Sequence, residues 1–175
     1  MPRTLARLLF VPTLLWNLLL GRVLRVRNWW DRVDEHVILG ALPFAADVPR
    51  LAAVGVRAVV NTCEEYVGPV AEYAVAGIEQ LRVPTTDFQP PQLADIEQAV
   101  AFMQRHIERG ETVYVHCKAG RARSATVVLC WLVAAKGMTV DAAQQLLLAK
   151  RPHVKRDLAR RAVVLEFAAK YAAAR

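Results

Sequence analysis

A strand-forming run that breaks into a short glycine-containing loop and then starts a long apolar helix constrains this chain more than any other feature. Thr112-Val113-Tyr114-Val115 leads into His116-Cys117-Lys118-Ala119-Gly120-Arg121-Ala122-Arg123-Ser124, and an apolar helical run follows from Ser124 to about Lys136. A loop in this position can turn successive backbone N–H groups inward, and the helix N-terminus adds positive potential; together they make a cradle for a tetrahedral oxyanion. Gly120 lets the backbone turn and approach a ligand closely. Cys117 falls at the cradle floor, where the N–H groups, the helix end and Arg123 favour the thiolate over a thiol whose free pKa is about 8.5. A thiolate is a nucleophile at neutral pH. Arg123 offers a planar fork to two phosphate oxygens, and the Ser124 hydroxyl can donate to the sulfur as it departs in a second step. His116 is expected to orient the cradle through hydrogen bonds and not to act as a base. Lys118, Ala119, Gly120, Arg121 and Ala122 are expected to line the bound substrate.

The rest of the chain supplies layers to support such a loop. Val37-Ile38-Leu39-Gly40, Val56 to Asn61, and Ile78 to Val83 read as strands. Between them lie short helical stretches, one from Asp47, as its cap, to Ala53 and one over residues 69–76. Three prolines mark Pro84 to Pro91 as a loop. From Gln92 the apolar residues Leu93, Ile96, Val100, Met103 and Ile107 recur at helical spacing until Gly110, an amphipathic helix with one buried stripe. Thr139 can cap a further helix to Lys150, and Asp157 can begin a last one to about Tyr171. Strands alternating with helices predict an α/β fold around a mostly parallel sheet. At 175 residues this is one domain's worth of chain.

Charge divides the chain differently. Residues 1–30 carry Arg3, Arg7, Arg22, Arg25 and Arg27 and no acid; residues 150–161 carry six basic residues against Asp157; residues 31–149 hold 10 basic and 14 acidic residues. The net charge of +7 therefore belongs to the two ends, which suits an anionic partner surface or, for the C-terminal cluster, a solvated helix face. Leu8 to Leu20, LLFVPTLLWNLLL, is 13 residues long, short of the about 20 that span a bilayer. With flanking arginines, Trp16 within and Trp29-Trp30 beyond, it reads as an interfacial anchor. A targeting presequence and a helix that merely packs on the domain are the other readings. The expected organisation is a membrane-associating segment over residues 1–30 and a catalytic domain over 31–175.

Cys117, five residues, Arg123 and then Ser124, with His116 before and Gly120 three after the cysteine, resemble the signature of cysteine-dependent protein tyrosine and dual-specificity phosphatases. That resemblance implies a three-layer fold of this phosphatase type, with the phosphate-binding loop between strand and helix. It also implies a general acid on a movable loop about 30 residues upstream. Asp87, in Thr85-Thr86-Asp87-Phe88-Gln89-Pro90, fits that place: it would protonate the leaving oxygen and then activate water. Further blocks resemble one subfamily, the phosphatidylglycerophosphate phosphatases of the mitochondrial protein-tyrosine-phosphatase type. They are Trp29 to Asp34, Ile38 to Pro43, Asn61-Thr62-Cys63-Glu64-Glu65-Tyr66, Gly77 to Arg82, and the start Leu9 to Leu15. The implied reaction is hydrolysis of the terminal phosphomonoester of an anionic phospholipid through a phosphocysteine, with no cofactor and no metal.

Under this reading Lys118 and Arg121 meet the second, diester phosphate, or are solvated rim charges; Glu64 and Glu65 line the pocket or form a polar turn. Ala122 stands where relatives commonly have glycine or serine. No late glutamine is present to position water, which leaves Asp87 as its activator. Cys63 and Cys130 are expected to be small buried hydrophobes. The alternatives are a dual-specificity protein phosphatase, a phosphoinositide phosphatase, and a non-catalytic phospho-ligand module; nucleic-acid binding lacks any motif. The expected location is the cytoplasmic face of a bacterial inner membrane or, alternatively, a mitochondrial inner membrane. The sequence leaves oligomeric state open.

Overall fold

A computed structural model describes residues 3–173, with nothing stated for the side chains of Arg3, Arg7 and Ala173. Two of the five N-terminal arginines on which the basic-end reading rests, Arg3 and Arg7, thus lie outside the described side chains. Five strands form one sheet in the order β1-β2-β5-β3-β4: β1 (Trp30–Arg32), β2 (Val37–Gly40), β3 (Val56–Cys63), β4 (Glu79–Thr85) and β5 (Thr112–His116). Only the β1–β2 pair is antiparallel. β1 is an element the sequence pattern does not announce, because three residues with mixed polarity carry no alternation.

The central strands read as nearly continuous apolar runs because both faces are covered. Alternate side chains enter two cores. Val37, Leu39, Ala58, Val60, Val113 and Val115 face one layer of helices; Ile38, Val59 and Tyr114 face the other. The first layer holds α5 (Leu93–Ile107), α6 (Arg123–Lys136), α7 (Val140–Lys150) and α8 (Ala162–Ala173); the second holds the short α3 (Val48–Ala53) and α4 (Val70–Val75). α5 buries Ile96, Val100 and Met103 as its spacing predicts. α6 is buried continuously from Arg123 to Leu132, since it is surrounded by α5, α7, α8 and the sheet. This sets the N-terminus of α6 and the end of β5 in the middle of the molecule, so the loop over 117–122 is fixed by the core on both sides.

Three details depart from the sequence reading. Asp47 accepts from the Phe44 N–H at 3.0 Å and pairs with Arg22 at 2.5 Å, and makes no side-chain cap on α3. α8 begins at Ala162, after a single 3-10 turn at Leu158–Arg160, so Asp157 does not open it. At the N-terminus, α1 (Arg3–Leu8), α2 (Phe10–Leu18) and a π-type turn (Leu19–Val23) run on as a helix over Thr4–Val23, 20 residues, long and apolar enough by composition to cross a membrane. The helix outruns the 13-residue apolar stretch at both ends, and Pro12 within it does not end it.

Candidate active site

The position of Cys117, the candidate nucleophile, follows from the end of β5. Cys117 is buried and accepts a hydrogen bond from Gly120 N–H at 3.2 Å. Gly120 has φ +64°, and a Cβ there would lie 2.5 Å from the Gly40 carbonyl and 2.9 Å from Arg151 Nη2; only glycine lets the loop close onto β2. Burial alone would raise the Cys117 thiol, but Arg123, the Ser124 hydroxyl and the backbone N–H groups of Ser124 and Arg121 overcome it, bringing the pKa down to about 7. Ser124 Oγ, buried, makes no hydrogen bond of strict geometry, so its proton is free to turn to the sulfur beside it. Burial drives Cys63 well up and Cys130 to about 12, so Cys117 is set apart from the other two as the thiol pulled towards its ionised form.

Arg123 is buried at 1 % exposure. Its Nη1 donates to Thr85 O at 2.7 Å and to Glu65 Oε2 at 3.0 Å, and Nη2 lies 3.0 Å from Asp87 Oδ1 without hydrogen-bond geometry. Burial by itself would lower its pKa; Cys117, Cys63, Asp87 and Glu65 raise it instead. The arginine is thus oriented from behind and has a buried donor left for a ligand. Glu65, one of two glutamates the sequence leaves undecided, is this orienting group and also accepts from Asp87 N–H at 3.2 Å. Glu64 accepts from Thr86 Oγ1 at 2.7 Å.

Asp87 lies in the loop after β4, as the upstream acid should, and its carboxylate joins the cradle by pairing with both Arg123 and Lys118. Lys118 also donates to Thr13 Oγ1 at 2.5 Å, and its ammonium sits over the rings of Phe10 and Phe88 at 5.1 and 5.3 Å. Arg121 donates through Nε to His153 O at 2.8 Å. Ala119 and Ala122 line the same cleft, which has a volume of about 360 Å³. Neither ring nitrogen of His116 meets strict hydrogen-bond geometry, though the Cys117 main chain lies close enough to act on the ring. Burial pulls its pKa down to about 3 against a weaker upward pull from the Cys117 main chain. The ring packs on Tyr114 and Tyr66, and the His116 carbonyl accepts from Thr62 Oγ1 at 2.9 Å.

Two contributions come from residues the sequence did not assign to the site. Arg151, read there as one of the basic end residues, is buried and donates to Gly120 O at 2.9 Å, Ala119 O at 3.1 Å and Asn28 O at 3.2 Å, and pairs with Asp31. It ties the loop to β1 and neutralises the carbonyls that point away from the cradle. The N-terminal helix forms a wall: Thr13 and Asn17 both reach Lys118, Asn17 through a 3.4 Å bond to its carbonyl. Neither contact has a local sequence signal, because the partners lie more than a hundred residues apart. Among the described residues, no group of three or more His, Cys, Asp or Glu side chains is placed to hold a metal.

Residues 37–170 match the family model for the dual specificity phosphatase catalytic domain. The chain is 44% identical over 164 residues to phosphatidylglycerophosphate phosphatase PTPMT2 of Arabidopsis thaliana, covering 92% of this chain and 72% of that one. It is 38% identical over 172 residues to phosphatidylglycerophosphatase and protein-tyrosine phosphatase 1 of Mus musculus, covering 93% and 89%. The crystal structure of PTPMT1 in complex with PI(5)P superposes with a TM-score of 0.77 at 33% identity, over 84% of this chain and 99% of that one.

Proposed function

Because this chain belongs to the dual specificity phosphatase family, we propose that its cysteine-dependent hydrolysis is directed at the terminal phosphomonoester of phosphatidylglycerophosphate, releasing phosphatidylglycerol. The observation that carries the chemistry is the convergence on one cradle of a thiol held near pKa 7, the Gly120 N–H and a buried Arg123 nitrogen that is ion-paired with Asp87 but makes no hydrogen bond. The Cys117 thiolate attacks phosphorus and forms the S–P bond while the P–O bond to the glycerol breaks. Asp87 gives its proton to that oxygen. Arg123 and the loop N–H groups bind the three non-bridging oxygens, most strongly as charge spreads over them in the transition state. Water then attacks phosphorus, Asp87 takes its proton, and the S–P bond breaks with the Ser124 hydroxyl stabilising the departing thiolate. Phosphate arriving at Arg123 takes the place of the Asp87 carboxylate, which frees the acid for its task.

The lipid substrate is supported by the names of the relatives and by the helix beside the cleft. Leu8, Val11, Leu15 and Trp16 are exposed on it, at 74, 58, 59 and 60 %, while Thr13 and Asn17 hold Lys118. Crossing a bilayer would strip those two polar residues from the catalytic loop into hydrocarbon. The helix is therefore read as lying in the membrane interface, its apolar side down. The alanine- and arginine-rich composition is that of a GC-rich bacterial genome, which supports a bacterial inner membrane, with a mitochondrial inner membrane as the alternative. A phosphoinositide monoester is the second reading, favoured by the PI(5)P held by PTPMT1. Phosphate release from phosphatidylglycerophosphate in mixed micelles, beside a phosphoinositide, a phosphotyrosine peptide and an aryl phosphate, tests the proposal, with Cys117→Ser as control. Preference for phosphatidylglycerophosphate, abolished in the variant, is the expected result; aryl phosphate turnover without lipid turnover rejects the substrate.

A further inference from the structure

The cleft above Cys117 holds more positive charge than one phosphate uses. Besides Arg123, the cations Arg27, Lys118, Arg121, Lys155 and Arg161 line it, against the carboxylates Asp87 and Asp157. Both carboxylates are committed: Asp87 to Lys118 and Arg123, Asp157 to Arg161 at 3.8 Å. Lys118 is occupied by Asp87 and Thr13. Arg27, Arg121 and Lys155 remain, and among the described residues none of the three forms an ion pair with a carboxylate.

These three come from different parts of the chain, yet each is fixed to the same loop. Arg121 belongs to it, and its guanidinium is held by His153 O. The Lys155 N–H donates to Arg121 O at 2.9 Å, seating the segment after α7 against the loop. Arg27 precedes Asn28, whose carbonyl is bound by the same Arg151 that binds Ala119 and Gly120. The neighbourhood shows the strain of unbalanced positive charge. Burial first, and then Arg27, lowers the Arg121 pKa. Burial, followed by Arg151, Arg27 and Arg121, pulls His153 down to about 3, so that it stays neutral among them. Three like charges held together without a counterion are an arrangement that a bound anion relieves.

We propose that Arg27, Arg121 and Lys155 form a second anion subsite that takes another phosphate of the same substrate molecule while Cys117 and Arg123 hold the one to be cleaved. The subsite rests on the phosphatase reading of Cys117 and would select substrates carrying two phosphates over simple monoesters. A phosphodiester bridging glycerol to a lipid backbone has the charge and position it requires. Arg27 lies outside the loop over 117–122 altogether, so in this proposal the N-terminal segment contributes to substrate choice.

The test uses the full chain and a non-hydrolysable probe. A five-carbon α,ω-bisphosphonate spaces its phosphorus atoms as glycerol bisphosphate does, and the corresponding alkyl monophosphonate lacks the second group. Inhibition of aryl phosphate hydrolysis by the two compounds is compared in wild type, Arg27→Gln and Lys155→Gln, with Arg156→Gln, exposed and outside the cleft, as control. Wild type and Arg156→Gln should prefer the bisphosphonate, and each of the other variants should lose about tenfold of that preference, the size of a charge-assisted contact at a solvated rim. Equal inhibition of wild type by both compounds, or a preference untouched by both cleft variants, overturns the subsite. A preference that behaves as expected in an enzyme that does not hydrolyse phosphatidylglycerophosphate upholds the subsite and rejects the lipid assignment alone.

Discussion

Replacing Ser124 with alanine should move the titration of Cys117 without altering the cradle's shape. The hydroxyl is buried, has no other polar partner, and is one of the groups that hold the thiol at about 7. A hydrogen bond to a charged acceptor contributes about 1.5–3 kcal/mol, and sulfur, a diffuse acceptor, belongs at the lower end. Since 1.36 kcal/mol corresponds to one pKa unit, the Ser124→Ala thiol should titrate near about 8. The ionised form is the one stabilised, so the loss shows on the acid side. At pH 6 the thiolate fraction, and with it kcat/KM, should fall about tenfold, and the two enzymes should converge above the variant's midpoint. The rate of iodoacetamide alkylation against pH reads this directly. Cys63 and Cys130 stay silent because burial holds both thiols protonated. Ser124→Thr, which keeps the hydroxyl, should return the midpoint towards wild type. An unchanged midpoint in Ser124→Ala would assign the thiolate to Arg123 and the backbone alone; a wild-type midpoint at the free-thiol value would refute the electrostatic account of the whole site.

Two further outcomes are expected. Asp87→Asn should lower kcat by about 10²–10³-fold on alkyl phosphate esters and much less on activated aryl phosphates, whose leaving group needs no proton; equal losses on both would remove Asp87 as the general acid. Arg151→Gln strands Asp31 without its buried partner and should cost about 3–5 kcal/mol in denaturant unfolding, and Asp31→Asn in the same chain should recover part of it; no loss of stability would show that the loop does not depend on this tie.

What the sequence made legible was whatever is local. The loop from Cys117 to Ser124, the helix behind it and the aspartate ahead of it are defined within short windows by residue type and order. The α5 stripe is likewise a property of one segment. Arg151 shows where such reading stops: it stands among other basic residues with the same composition as a solvated cluster, and only the fold turns it inward to Asp31 and the loop carbonyls. Thr13 and Asn17 are polar residues in an apolar run with no local sign of a partner, and tertiary packing sets them on Lys118. The undecided pair Glu64 and Glu65 divided according to geometry, one onto Thr86 and one behind Arg123. The His116 ring packs on Tyr114 and Tyr66 with the Cys117 main chain beside it, and the aromatic part of that setting has no signal in the sequence.

The N-terminal helix touches the catalytic loop on one side and presents exposed apolar side chains on the other. A helix with its side chains is about 10–12 Å across, so its thickness sets the distance between the catalytic loop and any layer in which the apolar side is embedded. At the membrane interface that spacer would hold the cleft at headgroup height, and a lipid could offer its phosphate to Cys117 while its acyl chains stayed in place. The helix would then act as a gauge of depth, sparing the enzyme the work of lifting its substrate out of the bilayer.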